Sequence, residues 1–140
     1  MDRDNKRCTD VKEQLEAIVN SAGLISKREN PLNFQVVTRI VIEELESWYF
    51  GDIPALHNAY PSIPATLGSK RKFREPDSIK KPSDTLFRLL IKDECKGLRH
   101  LPKLDTASRV SQYMDCFSNT SESFIAFREA VLACLKEEAC

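Results

Sequence analysis

The sequence predicts an α/β fold in which an incomplete parallel sheet is flanked by helices and followed by a mostly helical C-terminal half. Three observations lead to this prediction. An amphipathic helix comes first, a run rich in β-branched residues follows at Phe34–Ile42, and the rest of the chain has helical periodicity. A length of 140 residues fits one domain, with an α/β part at 1–60 and a basic loop plus helices at 61–140.

The first predicted helix runs from about Asp10 to Ala22. Asp10 is placed to cap its beginning, and Gly23 is placed to end it. Its apolar residues recur at the spacing of one buried helix face: Val11, Leu15, Ile18 and Val19.

The next element, Phe34–Ile42, reads as the clear strand of the chain. Its last three residues, 40–42, form a continuous apolar run, which suits a strand buried on both faces. A single strand cannot satisfy its backbone groups. Two explanations stay open: short pieces such as Thr66–Phe73 pair with this strand, or further sheet belongs upstream.

The rest of the chain reads as helices separated by a polar loop. We expect a short helix from Pro54 to Tyr60 and a basic loop over 69–82. Three further helices are predicted, from Ser83 to about Lys92, from Asp105 to Met114, and from Ser121 or Glu122 onward.

Composition limits the function classes. The 21 basic and 21 acidic residues give a net charge of zero, so attraction to nucleic acid would have to come from a local patch. The five cysteines form no CxxC pair, which favours reduced, mostly buried thiols in a cytoplasmic protein. No apolar run approaches the roughly 20 residues of a membrane span, so we expect no membrane partner.

Two acidic groups are candidates for metal chemistry. Glu43, Glu44 and Glu46 follow the apolar strand, where ligands collect in open α/β sheets, and are placed for metal binding or general-base catalysis. They would equally favour the first turn of the next helix. Asp2 and Asp4, spaced i and i+2, point the same way on an extended segment and could bind Mg²⁺. Acidic residues at such a position are otherwise solvated surface.

Basic residues predict a nucleic-acid contact. The loop residues Lys70, Arg71, Lys72 and Arg74 could bind a phosphate backbone, or they form a solvated charged loop. Arg39, inside the apolar run, is expected to pair with a carboxylate or to face a cleft.

Five segments carry a family resemblance. They are DRDNKRC at 2–8, RIVIEELESWYFGD at 39–52, ALHNAYP at 55–61, LGSKRKFREPDSI at 67–79 and NTSESFIAFR at 119–128. Their order resembles that of a bacterial family labelled domain of unknown function 4276. This family is thought to be similar to the Toprim fold of topoisomerases, primases and related nucleases.

The resemblance implies a magnesium site. Asp2 and Asp4 match the Mg²⁺-binding DxD of Toprim domains, and the glutamates at 43, 44 and 46 lie near the same end of the sheet. Toprim domains begin with a strand and a glutamate-bearing turn upstream of DxD. We therefore expect this chain to be an N-terminally truncated Toprim-like domain that lacks its first strand.

Three functions follow as hypotheses. The first is a Mg²⁺-dependent nuclease, or another enzyme acting on phosphodiesters, in a phage-defence-type system. In it Asp2 and Asp4 bind the metal, one of the three glutamates completes the site, and the basic residues hold the nucleic acid. The second is a non-catalytic module that partners an ATPase. The third is an inactive truncated remnant.

Overall fold

The computed structural model describes residues 7–137, and this part of the chain is mostly helical. It contains six α-helices: α1 (Cys8–Ser21), α2 (Glu46–Phe50), α3 (Ile53–Ala59), α4 (Pro82–Leu90), α5 (Lys103–Ser111) and α6 (Glu122–Glu137). Three single 3₁₀ turns lie at Leu67–Ser69, Arg71–Phe73 and Pro76–Ser78. None of the described helices is long and apolar enough to cross a membrane.

The predicted parallel sheet is wrong. Between residues 7 and 137 there is no regular strand: one parallel bridge joins Ser26 to Val36, and Val41 is a further isolated bridge residue. The segment Phe34–Ile42 is extended but irregular, and side chains satisfy part of its backbone: the Lys12 ammonium donates to Thr38 O at 3.1 Å. Phe34 and Val41 are buried, and isolated bridges without a regular strand accompany that burial.

The suggested pairing of Thr66–Phe73 with this segment is also wrong. Residues 67–69 and 71–73 form 3₁₀ turns, whose backbone donors are satisfied locally. Phe73 is buried there and stacks on Phe50 at a centroid distance of 5.4 Å. The aromatic side chain therefore fixes the basic loop to the core.

The core lies among α2, α3, α4 and α5. Contacts join α2 to α3 and to α4, and α3 to α5. Burying each large apolar side chain contributes about 1.5–3 kcal/mol. The fully buried apolar residues of this core include Phe50, Leu56, Ile63, Leu67, Leu86, Leu90 and Val110.

Helix boundaries agree with the sequence to within a few residues. Gly23, with φ of 69°, ends α1 as predicted, and Leu24 N donates back to Val19 O at 3.2 Å. The predicted caps Asp10, Ser83 and Asp105 lie inside the first turns of their helices, because these helices begin one or two residues earlier.

The N-terminal end of α6 is held by polar contacts with α2 and with Gly51, the residue that follows α2. Asn119 Nδ2 donates to Trp48 O at 2.8 Å, and Thr120 N donates to Gly51 O at 2.9 Å. Asp77 accepts three hydrogen bonds from this region, two from the hydroxyls of Ser121 and Ser123 and one from the Ser123 amide. These bonds fix α6 against the 3₁₀ turn at 76–78.

The cysteines in the described range are free thiols. Cys95 is buried, Cys134 is half-buried, and Cys8 and Cys116 are exposed. The prediction of mostly buried thiols is therefore wrong for the described range, where one of four cysteines is buried.

Candidate nucleic-acid interface

The segment before α2 brings two predicted glutamates to the beginning of α4. Glu43 Oε1 lies 2.8 Å from the Lys80 ammonium nitrogen. Glu44 Oε2 accepts a hydrogen bond from Ser83 N at 2.9 Å. Because Pro82 has no N–H, Ser83 supplies the first amide of this helix that needs an external partner. Glu43 and Glu44 therefore lie beside the C-terminal end of the basic loop.

Lys103, the first residue of α5, connects Glu44 to the third glutamate, Glu46. Its Nζ lies 3.5 Å from Glu44 Oε1 and 3.6 Å from Glu46 Oε1. The cluster of Glu43, Glu44 and Glu46 therefore joins the beginnings of α2, α4 and α5. We call these three residues the glutamate cluster.

Glu46 is the buried member of the glutamate cluster, with 3% of its side chain exposed. Its Oε2 has no hydrogen-bond partner among the described residues. Burial raises the pKa of this carboxyl, against a smaller lowering by the Lys103 charge. Burial also raises the pKa of Tyr49, and the negative charge of Glu46 adds to that effect.

Backbone strain accompanies the cluster. Within 7–137, Glu43 (φ 64°) and Lys81 (φ 47°) are the non-glycine residues with positive φ. This left-handed conformation costs an L-residue about 1–2 kcal/mol. Such strain concentrates at functional sites, where the surrounding structure maintains it. Glu43 is one partner of the Lys80–Glu43 ion pair, and Lys81 directly follows the other partner in sequence.

The glutamate cluster alone does not fit Mg²⁺. Among the described residues, no group of three or more His, Cys, Asp or Glu side chains is arranged to hold a metal ion. Lysine ammonium groups contact the carboxylates of all three glutamates. Asp2 and Asp4 lie outside the described residues, so their binding of Mg²⁺ stays a prediction.

A groove beside α4 is lined by basic side chains from the loop and from α4. Its volume is about 490 Å³, and Asp84 is the one acidic residue among those that line it. We call it the basic groove. Four cationic residues from the loop and from α4 line it: Lys72, Lys80, Lys81 and Arg88.

Of the four loop residues predicted to bind nucleic acid, Lys72 lines the basic groove. Lys70 and Arg71 are exposed and lie outside its lining. Arg74 closes the loop on itself, donating from Nε and Nη2 to Ser69 O at 3.2 and 3.0 Å. Sequence reasoning missed Arg88, although its place one helical turn after Asp84 puts both on one face of α4.

Arg39 lies elsewhere. Its Nε donates to Ala126 O at 3.1 Å and its Nη1 to Thr38 O at 3.0 Å. No described carboxylate forms an ion pair with it, so the first alternative, pairing with a carboxylate, is absent from 7–137. As in the second alternative, Arg39 lines a groove, which it shares with Trp48 and Phe127.

Comparison with known proteins identifies the family. No curated protein and no solved structure matches the chain. The predicted ATPase partner and Toprim-like character are not addressed by these comparisons and stay predictions. A family model described as a domain of unknown function matches residues 1–132. The chain therefore belongs to the family of the domain of unknown function DUF4276.

Proposed function

We propose that this protein binds the phosphodiester backbone of a nucleic acid in the basic groove. The observation that supports the proposal is the convergence of four cationic side chains on one groove with a single acid, in a chain whose net charge is zero. Lys and Arg bind backbone phosphates without reading sequence, and counterion release drives that binding.

Charge rather than base stacking accounts for the proposed affinity. Phe73, the aromatic residue of the loop, is buried against Phe50 and offers no free face to a base. Stacking platforms are what give single-strand-binding proteins much of their affinity. We therefore expect weak discrimination among base sequences and a strong dependence on salt.

Two cations of the groove are available to a ligand. Among the described residues, Lys81 and Arg88 form no ion pair, and both are exposed. Lys80 is engaged by Glu43, and Lys72 Nζ lies 3.5 Å from Thr85 Oγ1. A phosphate would thus meet Lys81 and Arg88 first and would compete with Glu43 for Lys80.

The test is fluorescence anisotropy with labelled oligonucleotides of about 16 residues, single-stranded and duplex, at low salt. We expect the Lys81→Ala/Arg88→Ala double variant to bind about tenfold or more weakly. The matched control is Lys70→Ala/Arg71→Ala, which removes the same charge from exposed positions outside the groove. Equal losses in the two double variants would show that binding does not occur in the groove.

A further inference from the structure

A second groove lies between α6 and residues 37–41, and Trp48 forms part of its wall. Its volume is about 270 Å³, and its walls are mostly apolar. Trp48 stacks there on Phe127 at a centroid distance of 5.1 Å. We call it the α6 groove. The residues that line it are Val37, Arg39, Val41, Trp48, Phe127, Ala130, Val131 and Cys134.

One face of α6 extends the apolar surface beyond the groove. Phe127, Val131 and Leu135 follow i, i+4, i+8 spacing and are 39%, 41% and 58% exposed. Residues at this spacing lie on one face of a helix. An apolar stripe along a surface helix is the feature that a second helix covers when it packs into a groove.

Arg39 places a positive charge in the lining of the α6 groove, whereas Lys12 lines a separate cavity with Ile40. Lys12 and Arg39 both donate to the carbonyl oxygen of Thr38, at 3.1 and 3.0 Å. Burial lowers the pKa of Lys12, and the charge of Arg39 lowers it further. Glu16 is the nearby acid, and its carboxylate is engaged by the hydroxyls of Ser26 and Thr38. Arg39 therefore favours a carboxylate on a ligand in the α6 groove.

We propose that the α6 groove binds an amphipathic helix of another protein, with apolar side chains along one face and carboxylates beside them. Apolar residues of the partner would contact Phe127 and Val131, and a carboxylate would contact Arg39. A groove of about 270 Å³ is smaller than sites that enclose a drug-sized ligand, and it suits one or two side chains of a helix.

Two-fold packing of this chain on itself fits less well. A symmetric dimer places the same surface of both copies together, so an Arg39 close to the two-fold axis would approach the Arg39 of the other copy without gaining a carboxylate.

The only tryptophan of the chain, Trp48, allows a direct test. We would titrate the full chain with two tryptophan-free helical peptides of about 18 residues, long enough to form helix on their own. Both peptides carry leucine on one face. The opposite face carries glutamate in the first peptide and lysine in the second. We expect saturable change in Trp48 fluorescence with the glutamate peptide and at least about tenfold weaker binding of the lysine peptide.

Variants locate the site. Arg39→Gln should weaken the glutamate peptide about fivefold or more by removing the charge partner. Val131→Asp should abolish its binding, while Leu104→Asp, at a residue 83% exposed on α5, should leave binding unchanged. Circular dichroism confirms that each variant is folded.

Three results would overturn the proposal: equal binding of both peptides, equal damage by Leu104→Asp, or a dimer that Val131→Asp dissociates in sedimentation without peptide. The last would assign the groove to a second copy. A fourth result, displacement of the peptide by an oligonucleotide whose own binding is weakened by Arg39→Gln, would also overturn the proposal and assign the groove to nucleic acid.

Discussion

Lys80 and Glu43 connect the two charged surfaces of this protein. The Lys80 ammonium nitrogen lies 2.8 Å from Glu43 Oε1, and the Lys80 side chain also lines the basic groove. Glu43 therefore acts as an internal anion beside the proposed phosphate site. Binding of a phosphate requires Lys80 to exchange one negative partner for another.

Glu43→Gln should tighten oligonucleotide binding about two- to threefold, because it removes a competitor for Lys80 and one repulsive charge. The measurement is anisotropy at fixed low salt. Glu94→Gln is the matched control, because Glu94 pairs with Arg109 outside the groove. Unchanged affinity in Glu43→Gln would mean that phosphate does not contact Lys80.

The salt dependence of oligonucleotide affinity reports how many phosphates the protein contacts. If four cations meet single-stranded phosphates, the plot of log affinity against log salt has a slope of about −3. Lys81→Ala should make the slope shallower by about 0.7. A slope near zero in the wild-type protein would remove the electrostatic basis of the proposed function.

The strain at Glu43 can be isolated by comparing two variants. Glu43→Ala and Glu43→Gly both lose the contact with Lys80, but glycine adopts a φ of 64° without the Cβ penalty. We expect the glycine variant to be more stable than the alanine variant by about 1 kcal/mol in urea unfolding. An alanine variant as stable as the glycine variant would show that residue 43 is not held left-handed in solution.

Glu46 should make stability depend on pH. The pKa of Glu46 in the folded protein lies above its value in the unfolded chain. The stabilisation that protonated Glu46 gives the folded state is therefore fully present below the unfolded pKa and is lost as pH rises through the folded pKa. Glu46→Gln stays neutral and should stabilise the protein by about 1 kcal/mol at about pH 7.5. The gain should disappear near pH 4, where wild-type Glu46 is protonated; a pH-independent gain would contradict the raised pKa.

Gly51 tolerates no side chain. A Cβ built there would lie 2.1 Å from Asn119 Oδ1 and 2.9 Å from Ser121 N. Gly51→Ala should therefore cost about 3 kcal/mol, because the loop that begins α6 must move. Gly68→Ala is the control: its nearest neighbour, Ile53 Cγ1, lies 3.3 Å away, and we expect a cost below about 1 kcal/mol.

Sequence predicted the helices better than the sheet, for a physical reason. Helical periodicity is local, so α1, α3 and α4 could be located from spacing and from residues such as Gly23. A strand needs a partner whose identity is not local, and the apolar run at Phe34–Ile42 is equally consistent with a buried, irregular segment. Burial of Phe34 and Val41 satisfies that pattern without a ladder.

The candidate site was partly predictable. The glutamates at 43, 44 and 46 and the basic stretch were identified from the sequence, but their adjacency depends on the fold of α2 against α4. The contacts of Lys103 with Glu44 and Glu46 could not be predicted from the sequence, since Lys103 lies 57 residues after Glu46 (103 minus 46). Mg²⁺ binding by Asp2 and Asp4 stays a prediction, which calorimetric titration of Asp2→Asn/Asp4→Asn against wild type would test.

The way in which α6 is attached has a consequence for hydrogen exchange. Asp77 and Asn119 hold its first turn, whereas in the described side chains from Phe124 to Leu135 only Ala130 is fully buried. Local opening should therefore begin at the C-terminal part of this helix, and amides there should exchange with solvent faster than those near Ser123. A protein that covers the α6 groove would slow exchange in that part first.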